Sequence, residues 1–392
     1  MTDKTETGDF YALADALPDN DQRLLARLRA FLATEVAPTA NEHWIHEEFP
    51  YELIGKLGGL GIAGLSYDGY GCAGRSSLLD GFVALEFARV DPSIATFFGV
   101  HTGLAMGSIY LCGSEEQKRT WLPAMARFEK VGAFGLTEPE AGSGAARGLT
   151  TTARRDGDEW VLSGQKKWIG NATFADVTVI WARDVADGNV RGFLVEKGSP
   201  GFTPTKILNK MALRTVQNAH IELRDCRVPE SHRLGHADSF ADTAAVLRMT
   251  RTSVAWQAVG CSIGAYERAL DYSKKREQFG RPIGGFQLVQ DMLVKMLGNI
   301  TASLCMVAQL SRLQDAGRMT EEQASLAKAF ATTKMRETVG LARELMGGNG
   351  ILLEHEVGRF VADAEAIHSY EGTREMNTLI VGRAITGFSA FV

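Results

Sequence analysis

Paired cysteines are what this chain lacks most plainly. The five, at 72, 112, 226, 261 and 305, are scattered without a C-x-x-C pair, which argues against a disulfide framework or a structural zinc site and fits a reducing compartment. His43 and His46 stand three apart, but no acid or cysteine pattern completes a metal site around them, so no metal is expected. Excess charge of one sign is missing too. With 42 basic and 47 acidic residues the formal net charge is -5, leaving no basic footprint for nucleic acid or for an anionic membrane, so the expected partners are small molecules or proteins. The start, "MTDKTETGDFYALADALPDND", is polar and acidic where a secretory signal would be basic and then apolar. No long uncharged apolar run stands out, so no membrane-spanning helix is expected. The end, "GFSAFV", lacks the peroxisomal address, which leaves the cytoplasm as the expected location.

What is present divides into three segments. Residues 1–130 read as an α-helical unit: "DQRLLARLRAFLATEV" repeats apolar residues at helical spacing until Pro38, glycines punctuate a long loop around 56–74, and "SLLDGFVALEFARV" resumes the period. "SEEQKRTWLPAMA" opens with a capping serine and acids, as a helix N-terminus should. Over residues 131–238 the period shortens. "DGDEWVLSGQKKWI", "ADVTVIWAR", "VRGFLVEK" and "AHIELRDCRV" are rich in Val, Ile, Trp and Thr between turn residues, which predicts a compact antiparallel β domain, barrel or sandwich. Residues 239–392 return to helices, expected near 241–276, 285–316, 320–346, 355–367 and 374–386, an antiparallel bundle. No internal repeat or low-complexity linker interrupts this order.

Five short stretches carry possible chemistry. "SYEGTRE", residues 369–375, sets Glu371 beside Tyr370 and Gly372, with Thr373 as a plausible N-cap for a following helix. A lone loop glutamate is ordinarily a solvated charge, but burial here would raise its pKa and the helix end would lower it, the tuning a general base needs. "FGLTEPEAGSG", residues 134–144, offers Thr137, Ser143 and backbone N–H groups between small residues, yet has neither a P-loop lysine nor Rossmann spacing. "KKWIGN", residues 166–171, places Trp168 at a strand end, either as a core residue at a bulge or as an indole facing a flat ring system. In "REQFGRP", residues 276–282, Arg276 either complements a helix C-terminus or holds a phosphate. "ELMGGNG", residues 344–350, ends a helix in two glycines where one suffices for a cap.

Taken in chain order, "TEPEAGSG", "WIGN", "REQFGRP", "MGGNG" and "YEGT" resemble the acyl-CoA dehydrogenase and oxidase flavoprotein family over nearly the whole chain from about residue 20. "RTSVAWQAVGCSIGAYERALDYSKKREQFG" and "SYEGTREMNTLIVGRAITG" are most similar to its glutaryl-CoA dehydrogenase and plant short-chain acyl-CoA oxidase branch. The resemblance implies a mainly α fold with a central β domain: an α-helical N-terminal domain, a β-barrel middle domain and a C-terminal four-helix bundle. It also implies an FAD cofactor and a homotetramer. Phe134, Leu136, Thr137, Gly142 and Ser143 match the loop on the flavin and its pyrophosphate, and Trp168, Ile169 and Gly170 the strand packed on the flavin ring. Arg276, Phe279 and Gln287, with Glu344, Leu345, Met346, Gly347 and Gly348, match positions reaching a neighbouring subunit's FAD, and Thr373 and Glu375 match further cofactor contacts. Substrate contacts are expected at Ser143, Arg251, Tyr370 and Gly372, with Arg251 at the CoA end.

On this resemblance Glu371 removes the α proton of an acyl-CoA thioester while the β hydrogen leaves as hydride to the flavin, giving a trans-2-enoyl-CoA. Hydrogen bonds from the Glu371 N–H and the cofactor's ribityl hydroxyl to the thioester oxygen would stabilise the enolate. Two departures stand out. Gly170 replaces the threonine or serine of many relatives, removing a donor to the flavin, and Ala95 stands where glutaryl-CoA dehydrogenases carry an arginine for the distal carboxylate. A neutral acyl chain is therefore expected over a dicarboxylic one. Phe97 and Phe98 either shorten the pocket or pack the core. Electrons are expected to pass to electron-transferring flavoprotein; an oxidase that reduces oxygen, and a non-catalytic FAD or CoA scaffold, are the alternatives.

Overall fold

The computed structural model describes residues 8–390. Helices α1 (Asp19–Phe31), α2 (Ala40–His46), α3 (Glu52–Gly58), α4 (Ser77–Val90), α5 (Pro92–Gly99), α6 (Gly107–Cys112) and α7 (Glu115–Ala126) form the first segment. α1 runs on through a π-helical turn, Leu32–Val36, and the chain is redirected at the turn containing Pro38, whose missing N–H ends the ladder. The caps are those the sequence predicts. Ser114 and Gln117 close a reciprocal capping box on α7, and Ser76 Oγ accepts the Leu79 N–H at the head of α4. Asp91 adds a cap the periodicity does not reveal: its carboxylate accepts the Ser93 N–H at 2.7 Å, so α5 starts afresh at Pro92. Between α5 and α6 the chain winds as a π-helix, Val100–Met106. Such widened turns often mark functional sites, and this one lines the cavity described below.

The second segment is one curled seven-stranded sheet: β1 (Gly132–Gly135), β2 (Thr152–Asp156), β3 (Glu159–Ile169), β4 (Val177–Asp184), β5 (Val190–Glu196), β6 (Phe202–Lys206) and β7 (Ala219–Pro229), with the short helix α8 (Ala145–Gly148) between β1 and β2. It departs from the wholly antiparallel expectation. β1 pairs parallel with β4, and so does β2. Parallel neighbours need a long crossover, and the excursion from Gly135 to Val177, which contains the β2–β3 hairpin, supplies it. The remaining pairings are antiparallel.

The third segment holds α9 (Phe240–Lys275), α10 (Gln287–Asp315), α11 (Glu321–Leu345), α12 (Val357–Ser369) and α13 (Arg374–Thr386), within two residues of the expected bounds. α9 is the axis, packed by α4, α10, α11 and α12. At Gly260 a Cβ would collide with the Leu85 carbonyl, so α4 and α9 approach closely only because that side chain is missing. The expectation that no apolar run is long enough to span a membrane needs correcting: Pro92–Cys112 and Gln287–Asp315 both reach that length and hydropathy. The first is mostly buried against its neighbours, and the second turns its buried face, including Met296, Ile300 and Leu304, into the bundle. The segments are also bonded to one another. Asp363 on α12 accepts Trp44 Nε1–H at 2.9 Å and the Leu213 N–H at 2.6 Å, while Arg359 reaches Asn41, Val90 and Asp91.

Candidate active site

The stretch around Glu371 is a strained turn between two helices. Glu371 has φ +55° and Gly372 φ +83°; two successive left-handed residues bring the chain from the end of α12 to Thr373, which caps α13 by accepting the Met376 N–H at 3.3 Å. For glutamate this conformation costs on the order of 1–3 kcal/mol, and it persists only where the surroundings impose it. Here they do. Lys328, fully buried on α11, donates from Nζ to the carbonyls of His368 and Gly372, both at 2.7 Å, so one ammonium grips the turn on either side of Glu371. Asn377, also buried, donates to the Gly372 and Thr373 carbonyls at 2.9 and 3.0 Å.

The Glu371 carboxylate accepts a hydrogen bond from Thr250 Oγ1 on α9 at 2.9 Å. Burial pushes its pKa up; the Thr250 bond and the charges of Arg251 and Lys328 pull it back, and burial prevails. Burial also draws the Lys328 ammonium down to about 8, against the attraction of Glu371. The Glu371 N–H makes no hydrogen bond to the protein among the described residues and is left as a donor beside its own carboxylate. Arg251 bonds Glu321 at 2.8 Å, and its buried Nε has no partner. Tyr370 turns inward, its hydroxyl donating to Gln257 Oε1 at 2.6 Å.

Thr250 is also part of the wall of a small cavity of about 30 Å³ between α4, the π-helical turn and α9, lined too by Tyr67, Phe98, Thr102 and Met249. The two phenylalanines therefore divide their roles. Phe98 lines the cavity, whereas Phe97 stacks into a cluster with Phe49 and Phe174 at 4.7 and 6.1 Å between ring centres. Ala95, buried on α5, is not part of the wall.

Facing this region, the loop after β1 is clamped by a pair the sequence reading passed over. Glu138 accepts from the Thr150 and Thr151 N–H groups at 2.7 and 2.9 Å and from Lys166 Nζ at 2.8 Å. Burial raises its carboxyl, but the Lys166 ammonium and these donors outweigh burial and hold it near 2. With its ends fixed, the loop presents Gly142 and Ser143 to solvent and Thr137 partly so, while Phe134 and Leu136 turn inward. Trp168 lies at an irregularity of β3 in the left-handed region, 54% exposed. It is the bulge that was expected, but not a core tryptophan. Ile169 and Gly170 beside it are buried, and a Cβ on Gly170 would stand 3.1 Å from Val100 Cγ2.

A second group gathers elsewhere on the bundle. Arg276 and Gln287 are exposed, and Phe279, at the tip of the β8 (Glu277–Gln278) and β9 (Arg281–Pro282) ribbon, is 94% exposed. Asn349 donates to the Tyr272 hydroxyl at 2.9 Å, bringing the end of α11 to that of α9. There Glu344, Gly347 and Gly348 are exposed, whereas Leu345 and Met346 bury their side chains and offer only backbone. Glu375 is exposed and pairs with Arg374 at 2.9 Å. An exposed indole, a pinned loop with free hydroxyls and open glycines suit a flat group with a polar, phosphate-bearing tail. Of the residues missed, Lys166 had a signal, since β3 carries it on through buried Leu162 into the sheet interior; Thr250 and Lys328 read only as helix residues.

Comparison with known proteins gives a consistent result. Family models described as acyl-CoA dehydrogenase N-terminal, middle and C-terminal domains match residues 18–129, 133–226 and 240–386. The chain is 34% identical to an acyl-CoA dehydrogenase of Bacillus subtilis (strain 168), covering 92% of this chain and 96% of that one. It is 32% identical to the human mitochondrial short-chain specific acyl-CoA dehydrogenase, covering 93% and 90%. Glutaryl-CoA dehydrogenase from Mycobacterium smegmatis superposes with a TM-score of 0.94 at 39% identity, covering 98% and 99%. A glutaryl-CoA dehydrogenase of that organism in complex with FADH2 gives 0.94 at 35%, with the same coverage.

Proposed function

Since this chain belongs to the acyl-CoA dehydrogenase family, we propose that it converts a short- to medium-chain acyl-CoA to the trans-2-enoyl-CoA with Glu371 as the base. As a member it is an FAD-dependent oxidoreductase. When bound there, FAD would supply the acceptor for the hydride that leaves the β carbon as Glu371 takes the α proton. The residues proposed to hold it are Thr137, Gly142, Ser143 and Trp168 to Gly170 from the β domain, with Thr373 and Glu375 beyond the base. Arg276, Phe279, Gln287 and Glu344 to Gly348 are proposed to reach the cofactor of a neighbouring subunit. The exposure of Trp168 and Phe279 supports that reading.

The observation that carries the base assignment is the partly buried Glu371 carboxylate, set in a strained turn by Lys328 and bonded to Thr250, which lines the cavity. Its raised pKa makes it a stronger base than a free carboxylate, and an acyl chain that expels water raises it further. The unpartnered Glu371 N–H is the donor for the thioester oxygen on which enolate charge develops, a contact worth roughly 3 kcal/mol if comparable to an oxyanion-hole donor. Arg251 and Ser143 are proposed toward the CoA moiety, and Tyr370 and Gly372 shape the turn against which the thioester lies. Without an arginine at Ala95, a distal carboxylate would be buried unpaired. Electrons are proposed to pass to electron-transferring flavoprotein, in the cytoplasm and from a homotetramer. A chain solved in work on the electron transferring flavoprotein of Acidaminococcus fermentans superposes at a TM-score of 0.91 with 34% identity.

The test is anaerobic mixing with straight-chain acyl-CoAs under stopped-flow absorbance. Flavin bleaching is expected in the native protein, with slow recovery in air; fast recovery with peroxide would identify an oxidase instead. Glu371→Gln should retain FAD and lose at least 10²–10⁴-fold in bleaching rate, the usual contribution of a general base. Native rates in that variant would refute the assignment.

A further inference from the structure

Trp168 points outward from a backbone that does not hold it unaided. β3 carries one residue more than β7 at that place, since Lys166 lies opposite Ile221 and Ile169 opposite Ala219, and a bulge of this kind re-aims a side chain. The residue so turned has φ +67° and a half-exposed indole, a strained conformation that persists only where neighbours impose it. The Trp168 carbonyl accepts from Asn218 Nδ2 at 3.3 Å, and Asn218 Oδ1 accepts from Lys210 Nζ at 2.7 Å. An ammonium only donates, so Lys210 decides which way the Asn218 amide faces, oxygen to the lysine and nitrogen to Trp168. Lys210 Nζ also donates to the Leu213 and Val216 carbonyls, both at 2.7 Å. Burial draws this ammonium down to about 8, against the attraction of Asp363 and Glu47, and three short hydrogen bonds offset its desolvation. The loop between β6 and β7 that carries these residues is anchored at its far side. Leu213, left-handed at φ +47°, gives its N–H to Asp363 on α12 at 2.6 Å, and Arg214 donates to the Trp44 and Ile45 carbonyls of α2 at 3.0 and 3.1 Å. Trp168 is thus joined through one asparagine and one lysine to both helical segments.

We propose that Asn218, oriented by Lys210, is a positioning residue that sets the Trp168 indole against the flavin. This rests on the reading above that Trp168 packs on the FAD ring, and adds the residues by which the protein holds it there. Both act through Trp168. Bracing the loop needs only the Asn218 oxygen, which receives the ammonium; the bond from the amide nitrogen to Trp168 is what a brace alone does not require.

Asn218→Asp separates the two roles. Its carboxylate still receives the Lys210 ammonium, so the loop stays braced and far-ultraviolet circular dichroism is unchanged, but it has no proton for the Trp168 carbonyl. The holoenzyme is then expected to release FAD on dilution roughly tenfold more readily, the effect of about one lost hydrogen bond, and the fluorescence of the bound flavin, which an adjacent indole quenches, should rise. Lys210→Met should give the same flavin signal together with a lower melting temperature, since it also removes the brace. Trp168→Leu completes a double-mutant cycle: if Asn218 acts through the indole, adding Asn218→Asp to Trp168→Leu weakens FAD binding no further. Native FAD retention and flavin fluorescence in Asn218→Asp, or fully additive losses in the double variant, would overturn the proposal and leave the dehydrogenase reading standing. Native signals in Trp168→Leu itself would show that the indole does not face the flavin, and the proposal falls with that assignment.

Discussion

Glu371 and Lys328 act as a unit. The carboxylate is poised by burial, but the turn that aims it is held by an ammonium whose two hydrogen bonds end on the carbonyls flanking it. Lys328→Met should therefore do two things. Leaving the His368 carbonyl without its Lys328 donor, while Asn377 still serves Gly372, costs about 1–3 kcal/mol and lowers the melting temperature, and a base displaced by even an ångström loses on the order of 10²-fold in rate. The pH profile separates this from simple destabilisation. Lys328 lowers the Glu371 pKa; without it that pKa rises further, the base stays protonated to higher pH, and the acid limb of kcat/KM shifts upward. An unshifted limb would show that Lys328 only props the fold.

At the scale of elements, α12 depends on Asp363, which ties it to α2 and to the loop before β7. Burial, with Asp91 adding to it, raises this carboxyl from 3.8 to about 7, against the opposing pull of Arg359 and the two N–H donors. The folded protein thus keeps a proton that the unfolded chain releases above about 4, and stability falls as pH rises from there through about 7. Asp363→Asn retains an acceptor for Trp44 and Leu213 without the titration, so its melting temperature relative to the native protein should climb between pH 5 and pH 8. A constant difference would mean that Asp363 is ionised throughout. The periodicities placed α12 itself to within two residues, but its anchoring was hidden, because an acid inside "ADAEAI" looks like the solvent face of an amphipathic helix until Trp44 arrives from the far end of the chain.

For the whole molecule, Phe279 at 94% exposure, Leu288 at 79%, Ile385 at 78% and Phe388 at 80% are large apolar side chains set outward near the ends of the bundle helices. Such surfaces mark contacts with other chains. Under the proposed homotetramer, light scattering should give a mass well above one chain. Phe279→Asp should release FAD at least tenfold more readily on dilution while the subunit's far-ultraviolet circular dichroism is unchanged. Tight FAD retention in that variant would place the cofactor within one subunit.

The sequence by itself determined the succession of helix, sheet and helix, since periods of 3.6 and 2 depend only on which side chains follow one another; it also singled out Glu371 by the glycine and capping threonine after it. Only the tertiary structure decided the rest. The parallel pairing of β1 with β4, the Thr250 hydroxyl and Lys328 ammonium brought to the base from two other helices, and the Glu138–Lys166 clamp all join residues far apart in the chain. Burial and long-range contact, which make a lysine a clamp and raise the pKa of a loop glutamate, exist only once the chain is folded.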